Sequence, residues 1–248
     1  MKYDIHEFNS IFWDIVRKYD ISDNNILRKI IHSYDVAKIC YTTACKRKLN
    51  KDERYFCYVL GLFHDVGRFE QWKLYGTYED AKSIDHGKLS ADIVKNMNSQ
   101  ELFGMTDEEV QLLADSINYH TKPYLGNDDK VKYFNQIINN ADAYSNVVES
   151  ANGMHRISSD IEGYNEELLR AFKERELLVK YPPLTKLDKA IKSTACVYYI
   201  NDQSIREEII RNNYLDMIYE NFSSGLSESE SNMYNELIED LKSTYLEK

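Results

Sequence analysis

Apolar residues recur at intervals of three and four along most of the chain, which is the spacing of one helix face. The pattern predicts helices over about 4–19, 25–47, 86–97, 106–120 and 131–149. The stretch YFCYVLGLF at 55–63 is apolar on nearly every face, which is typical of a helix at the centre of a bundle. The pattern weakens over 68–85, where we predict a partly irregular loop that borders a site.

Residues suited to capping precede several of these segments. Ser22, Asp23 or Asn24 can cap the second helix, and Asp52 can cap the apolar one. The sequence TDEE at 106–109 has the spacing of a capping box. After Gly153, helical spacing returns over about 160–178, 184–200, 203–222 and 228–246.

Glycine and proline are scarce, with 9 and 3 residues in 248, whereas sheet-rich folds need many turns built from such residues. We therefore predict an all-α fold. A helical core is expected over 1–152, and a helical C-terminal extension over 153–248 is expected to pack on that core.

The net charge of −10 argues against a nonspecific binder of nucleic acid or of membrane surfaces, since both rely on positive charge. It leaves room for a small anionic substrate, because a metal and a few basic residues reverse the field locally. The chain shows no signal core, no run near the ~20 apolar residues of a membrane span and no CxxC pair. We expect a soluble, cytoplasmic protein with reduced thiols.

Six residues with metal-binding side chains stand where a helix bundle can bring them together. They are His32, His64, Asp65, His86, His120 and Asp142, hereafter the His/Asp cluster. A single histidine on an apolar helix face is usually a satisfied core residue. Four histidines and two aspartates that point inward from separate helices favour a shared cation, because burying them without a partner is costly.

Imidazole and carboxylate ligands suit Fe, Mn, Co, Ni or Zn, with Mg less favoured. The adjacent His64 and Asp65 differ by about 100° around a helix, so one can bind a metal while the other bridges to a second ion. Two such ions can activate water and polarise a phosphoryl group. No serine or cysteine nucleophile motif is present, so water is the expected nucleophile.

At these residues the chain resembles the HD superfamily of metal-dependent phosphohydrolases, over roughly 25–150. The carrying motifs are HSYDVA at His32, GLFHDVGRFEQ at His64 and Asp65, DHGKLSADIV at His86, INYHT at His120 and NNADAYSN at Asp142. Their order, H…HD…H…H…D, is similar to that of members with extra histidines before the last aspartate. The resemblance implies an HD-type helical bundle.

The resemblance also implies two ligand sets that share Asp65. A first metal would be held by His32, His64, Asp65 and Asp142. In binuclear members a second metal would be held by Asp65, His86 and His120. In mononuclear members the positions of His86 and His120 instead contact substrate or assist proton transfer, and we expect the binuclear form.

The sequence departs from the family after the last aspartate. Relatives with this layout often carry a basic residue there, whereas this chain reads Asp142-Ala143-Tyr144. The identity of the substrate therefore does not transfer, while the metal ligands are intact. Asp85, directly before His86, can cap the helix that begins there or orient an imidazole.

Three basic residues near the cluster are candidates for binding substrate. Arg68 follows the HD pair by three positions, and its guanidinium suits phosphate oxygens. The alternative for Arg68 is a structural ion pair with Glu70 or Asp80. Lys88 and Lys122 are near ligand histidines in sequence, and their alternative role is that of solvated surface lysines.

The leading hypothesis is a hydrolase of a phosphoester or phosphoanhydride in a nucleotide or small phosphorylated metabolite. Its catalytic residues would be Asp65, His86, His120 and Arg68. A di-iron oxygenase on the same scaffold stays open, because fold and ligands alone do not separate the two chemistries. A non-catalytic protein that binds metal or nucleotide is the third hypothesis, and the oligomeric state is left open.

Overall fold

The computed structural model describes residues 5–122, 124–154, 161–176, 178 and 181–243, which contain helices and no strand. The all-α prediction is confirmed. The α-helices in chain order are α1 Ile5–Val16, α2 Asn24–Lys46, α3 Lys51–Phe63, α4 Gly67–Tyr75, α5 His86–Asn96, α6 Ser99–Phe103, α7 Asp107–Asn118, α8 Asp129–Ala151, α9 Glu166–Lys173, α10 Lys186–Thr194, α11 Gln203–Arg211, α12 Tyr214–Ser223 and α13 Glu228–Leu241. None of the described helices combines the length and apolarity that crossing a bilayer requires.

The chain divides into two compact units, Met1–Asp142 and Ala143–Lys248, and the division falls inside α8. In the first unit, α3 packs along α2 and also contacts α1 and α7. Every residue of α3 from Phe56 to Phe63 is buried, as expected of a central helix. Helix α5 packs against both α4 and α7.

The helix starts follow the predicted caps with one exception. Asp23 accepts a hydrogen bond from the Asn25 amide at the start of α2, and Thr106 begins α7 with a capping box. Asp52 does not cap α3, because Asn50 and Glu53 form a reciprocal capping box there.

The predicted loop over 68–85 is wrong for its first half, where α4 continues to Tyr75. The buried face of α4 carries a glycine, a phenylalanine and the polar Gln71, so an apolar pattern is almost missing. The helix ends at Gly76, whose φ of 62° is readily adopted by glycine. The irregular segment that follows contains one 3₁₀ turn, Asp80–Lys82.

In the second unit, α10 contacts α9, α12 and α13. The helix predicted over 184–200 becomes a 3₁₀ helix after Thr194, and the one over 203–222 is broken at Asn213, where φ is 54°. Within 160–178 the described helix is only α9, and residues 160, 177 and 244–246 of the predicted helices lie outside the described residues. The boundary at 152 and the packing of the extension remain predictions.

Candidate metal centre

The first unit brings all six members of the His/Asp cluster together from three helices and from the turns that follow two others. His32 belongs to α2, Asp142 to α8, and His86 is the first residue of α5. His64 and Asp65 lie in the turn after α3, and His120 comes two residues after α7. Five of the six residues are at most 3% exposed, and only the side chain of Asp142 is partly open, at 19%.

One half of the cluster contains His32, His64 and Asp142, whose ligand atoms all lie within 4.8 Å of one another. The Nε2 atom of His32 is 3.0 Å from Asp142 Oδ1, and that of His64 is 3.8 Å from the same oxygen. Asp65 Oδ2 approaches this half, at 3.6 Å from His64 Nε2 and 3.8 Å from His32 Nε2.

The other oxygen of Asp65 faces a second half of the cluster. Asp65 Oδ1 lies 3.4 Å from His86 Nε2 and 3.5 Å from His120 Nε2, and those two nitrogens are 3.1 Å apart. Ligand atoms bound at about 2.0–2.2 Å to one ion lie roughly 3–3.5 Å from one another. The spacing of these three atoms therefore fits a single cation.

The hydrogen bonds behind the imidazoles fix which ring nitrogens face the cluster. The Nδ1 atoms of His64 and His120 lie 2.7 Å from the carbonyl oxygens of Gly61 and Ile117. A carbonyl oxygen only accepts, so both Nδ1 atoms carry the proton and donate it. In the neutral ring each Nε2 atom then directs a lone pair inward, as a metal ligand requires.

His86 has the same tautomer, because its Nδ1 lies 2.6 Å from Asp80 Oδ2. Burial alone raises the pKa of Asp80, but its hydrogen bond with His86 and nearby positive charges lower that pKa to about 2. The carboxylate is thus ionised and accepts. Burial lowers the pKa of His86 to about 4, so His86 is neutral near pH 7 and its Nε2 is also an acceptor.

A cation would give the inward-facing imidazole nitrogens a binding partner. The inward nitrogens of His86 and His120 face each other at 3.1 Å. Burial lowers the pKa of His64 to about 3, and its buried Nε2 makes no hydrogen bond within the described part of the chain. Buried acceptors without donors are costly. The residues present therefore fit a divalent metal in both charge and donor type.

Two of the three basic residues predicted to bind substrate form ion pairs within the protein. Arg68 Nη1 donates to Asp80 Oδ1 at 3.0 Å, which is one of the structural ion pairs considered for it, while its Nε lies 3.6 Å from Asp65 Oδ1. Lys122 pairs with Asp85 at 2.9 Å, and Lys88 is exposed. Their roles towards substrate stay predictions.

Asp85 was predicted either to cap α5 or to orient an imidazole, and its contacts show the cap. Asp85 caps α5 by accepting a hydrogen bond from the Lys88 amide at 3.0 Å. The carboxylate that accepts from Nδ1 of His86 is that of Asp80, which the sequence marked only as a possible partner of Arg68.

Lys29 is a neighbour of the cluster that reasoning from the sequence missed. Its Nζ lies 2.7 Å from Asp65 Oδ2, and this ammonium contributes to holding the pKa of Asp65 well below its usual range despite burial. Lys29 precedes His32 by three residues, so it lies on the same face of α2. That spacing is a signal by which Lys29 could have been found.

Comparison with known proteins identifies one family. Residues 30–147 match the model of the HD domain, and this span includes the whole His/Asp cluster. No curated protein and no solved structure matches the chain significantly.

Proposed function

From the HD domain that residues 30–147 form, we propose that the protein is a metal-dependent phosphohydrolase. Its substrate is a phosphoester or phosphoanhydride of a nucleotide or small phosphorylated metabolite. The observation that carries the proposal is the position of Asp65, whose Oδ2 lies near His32 and His64 and whose Oδ1 lies near His86 and His120. That arrangement is the one a carboxylate shared by two cations needs.

In this proposal two divalent ions occupy the two halves of the cluster. His32, His64 and Asp142 would hold one ion, His86 and His120 would hold the other, and Asp65 would contribute to both. Bound metal supplies Lewis acidity, which activates water and polarises the phosphoryl group. Fe, Mn, Co, Ni and Zn suit these ligands better than Mg.

The protein's own residues bind and orient the substrate. Lys29 and Arg68 place two positive charges beside Asp65, and an anionic phosphate is attracted to them in a chain of net charge −10. Arg68 is held by Asp80 and Gln71, so its guanidinium is already ordered before substrate arrives. Lys88 and Lys122 are proposed to add charge at the edge of this site.

The test is a substrate panel assayed in parallel without and with oxygen. Phosphomonoesters, nucleotides, cyclic and linear dinucleotides and dinucleoside polyphosphates are each incubated with Mn, Fe, Co, Ni or Zn, and phosphate or nucleotide release is measured. We expect turnover of at least one class with at least one metal. Turnover that requires both iron and O₂ would instead favour the oxygenase, and binding without turnover would favour a regulatory protein.

A further inference from the structure

Asp80 joins the metal centre to the segment between α4 and α5. Its Oδ2 accepts the hydrogen bond from His86 Nδ1 at 2.6 Å. Its Oδ1 accepts from Arg68 Nη1 and from Gln71 Nε2, each at 3.0 Å. One carboxylate thereby fixes both an imidazole of the cluster and the arginine beside it.

The position of Asp80 is itself well determined. Gln71 is fully buried in α4, and its Nε2 also donates to Ser83 Oγ at 2.7 Å and to the Ile84 carbonyl oxygen at 3.1 Å. Its Oε1 accepts from Arg68. These bonds hold the irregular segment against α4, so Asp80 is presented to His86 by the fold.

His86 needs such a partner because of its place in its helix. His64 and His120 each donate from Nδ1 to the carbonyl three residues earlier, in the helical turn that precedes them. His86 is the first residue of α5, so no helical turn precedes it. Its Nδ1 therefore has to find an acceptor from another segment, and that acceptor is Asp80.

We propose that Asp80 is a positioning residue that fixes the tautomer of His86 and thereby controls binding of the second metal. The proposal rests on the two-metal form of the proposed function. A carboxylate behind a ligand imidazole orients the ring and makes it a better ligand, and losing it costs about 10–100-fold in metal affinity. The Asp80 side chain bonds to His86, Arg68 and Gln71, and of these His86 alone belongs to the His/Asp cluster, so the first metal should be spared.

The first experiment reads the tautomer in metal-free protein. Nitrogen-15 NMR of labelled histidines should show His86 protonated at Nδ1 in the wild type and a larger Nε2-protonated fraction in Asp80→Ala. Glu79→Ala is the matched control, since Glu79 is the exposed neighbour of Asp80 and its carboxylate pairs with Lys82. A wild-type His86 protonated mainly at Nε2 would overturn the proposal without any variant.

The second experiment titrates Mn²⁺ or Zn²⁺ into each protein by calorimetry. In Asp80→Ala we expect the second equivalent to bind about 10–100-fold more weakly and the first to stay within about twofold. Asp80→Asn keeps one acceptor oxygen and should fall between Asp80→Ala and the wild type. Unchanged titrations, equal weakening of both equivalents, or a wild type that binds one equivalent would each overturn the proposal.

Neither experiment uses a substrate. A protein that binds two ions with the expected dependence on Asp80, yet releases no phosphate from the panel, would refute the proposed reaction and leave this inference standing.

Discussion

At the scale of single residues, the adjacent His64 and Asp65 place their ligand atoms in different parts of the cluster. His64 Nε2 points into the half of the cluster with His32 and Asp142, whereas Asp65 reaches both halves with separate oxygens. Lys29 at 2.7 Å partly offsets the negative charge of Asp65. In the proposed two-metal site, Asp65 is therefore the residue whose loss would affect both metal positions.

Asp65→Asn tests this position. The amide keeps the size of the side chain but loses the charge and one ligand oxygen, so metal affinity should fall at least about 10–100-fold. Turnover should fall to background at metal concentrations that saturate the wild type. His6→Ala, an exposed histidine outside the cluster, is the control. Activity of Asp65→Asn close to that of the wild type would refute the role given to Asp65.

The stability of metal-free protein should depend on pH through the same histidines. The folded-state pKa is about 3 for His64 and about 4 for His86, whereas unfolded histidine titrates near 6.5. Between those values the unfolded chain binds more protons, so the free energy of unfolding decreases as pH falls from about 7 to 4. Urea denaturation at several pH values measures this, and a flat profile over that range would contradict it.

Much of the site could be predicted from residues on apolar helix faces, because His32, His120 and Asp142 continue regular stripes. The contact of Asp80 with His86 could not be predicted in this way, since Asp80 lies in an irregular segment whose path depends on Gln71 and other tertiary contacts. The metal-ligand roles of the six residues remain predictions that the distances support.

At the scale of elements, the cluster depends on how closely α2 and α3 approach. A Cβ atom on Gly61 of α3 would lie 2.6 Å from the Cα of Ala37 in α2. Glycine at this position lets the two backbones touch, one turn of α3 before His64 and near His32. Periodicity predicted both helices well, because each carries a continuous apolar face.

Gly61→Ala should therefore separate α2 from α3. Backbone atoms cannot move aside as a flexible side chain can, so we expect a loss of about 1–3 kcal/mol in the free energy of unfolding. Weaker metal binding should accompany it, because His32 and His64 move apart. Lys38→Ala, on the exposed side of α2, is the control in urea denaturation, and a Gly61→Ala protein as stable as this control would contradict the packing.

Elements with weak patterns were harder to predict. α4 buries few residues and one of them is polar, so its sequence does not show a helical stripe. The break between α11 and α12 occurs at Asn213, which adopts a left-handed backbone without glycine or proline to mark it. Both features are decided by tertiary packing more than by local preference.

At the scale of the whole molecule, an acidic chain matches the HD-domain model over residues 30–147 and has further helices after that span. The cluster draws its ligands from α2, α5 and α8 and from the turns after α3 and α7. A metal that binds this folded arrangement, and not the unfolded chain, stabilises all of these elements together.

Chelation should consequently lower the melting temperature of the metal-loaded protein. A free metal concentration 100 times its dissociation constant adds about 2.7 kcal/mol per site. Calorimetric scans before and after treatment with a chelator, and again after metal is restored, measure this shift. His86→Ala should retain only part of it. A melting temperature that metal does not change would count against the site.

The most direct test of the central claim is the metal content of the protein itself. Protein purified without added metal and without a histidine tag is analysed for transition metals, before and after incubation with Mn, Fe, Co, Ni and Zn. We predict one to two ions per chain, and a clear loss of metal in His64→Ala with its helical circular dichroism retained. A wild-type chain that remains metal-free after every incubation would contradict the account.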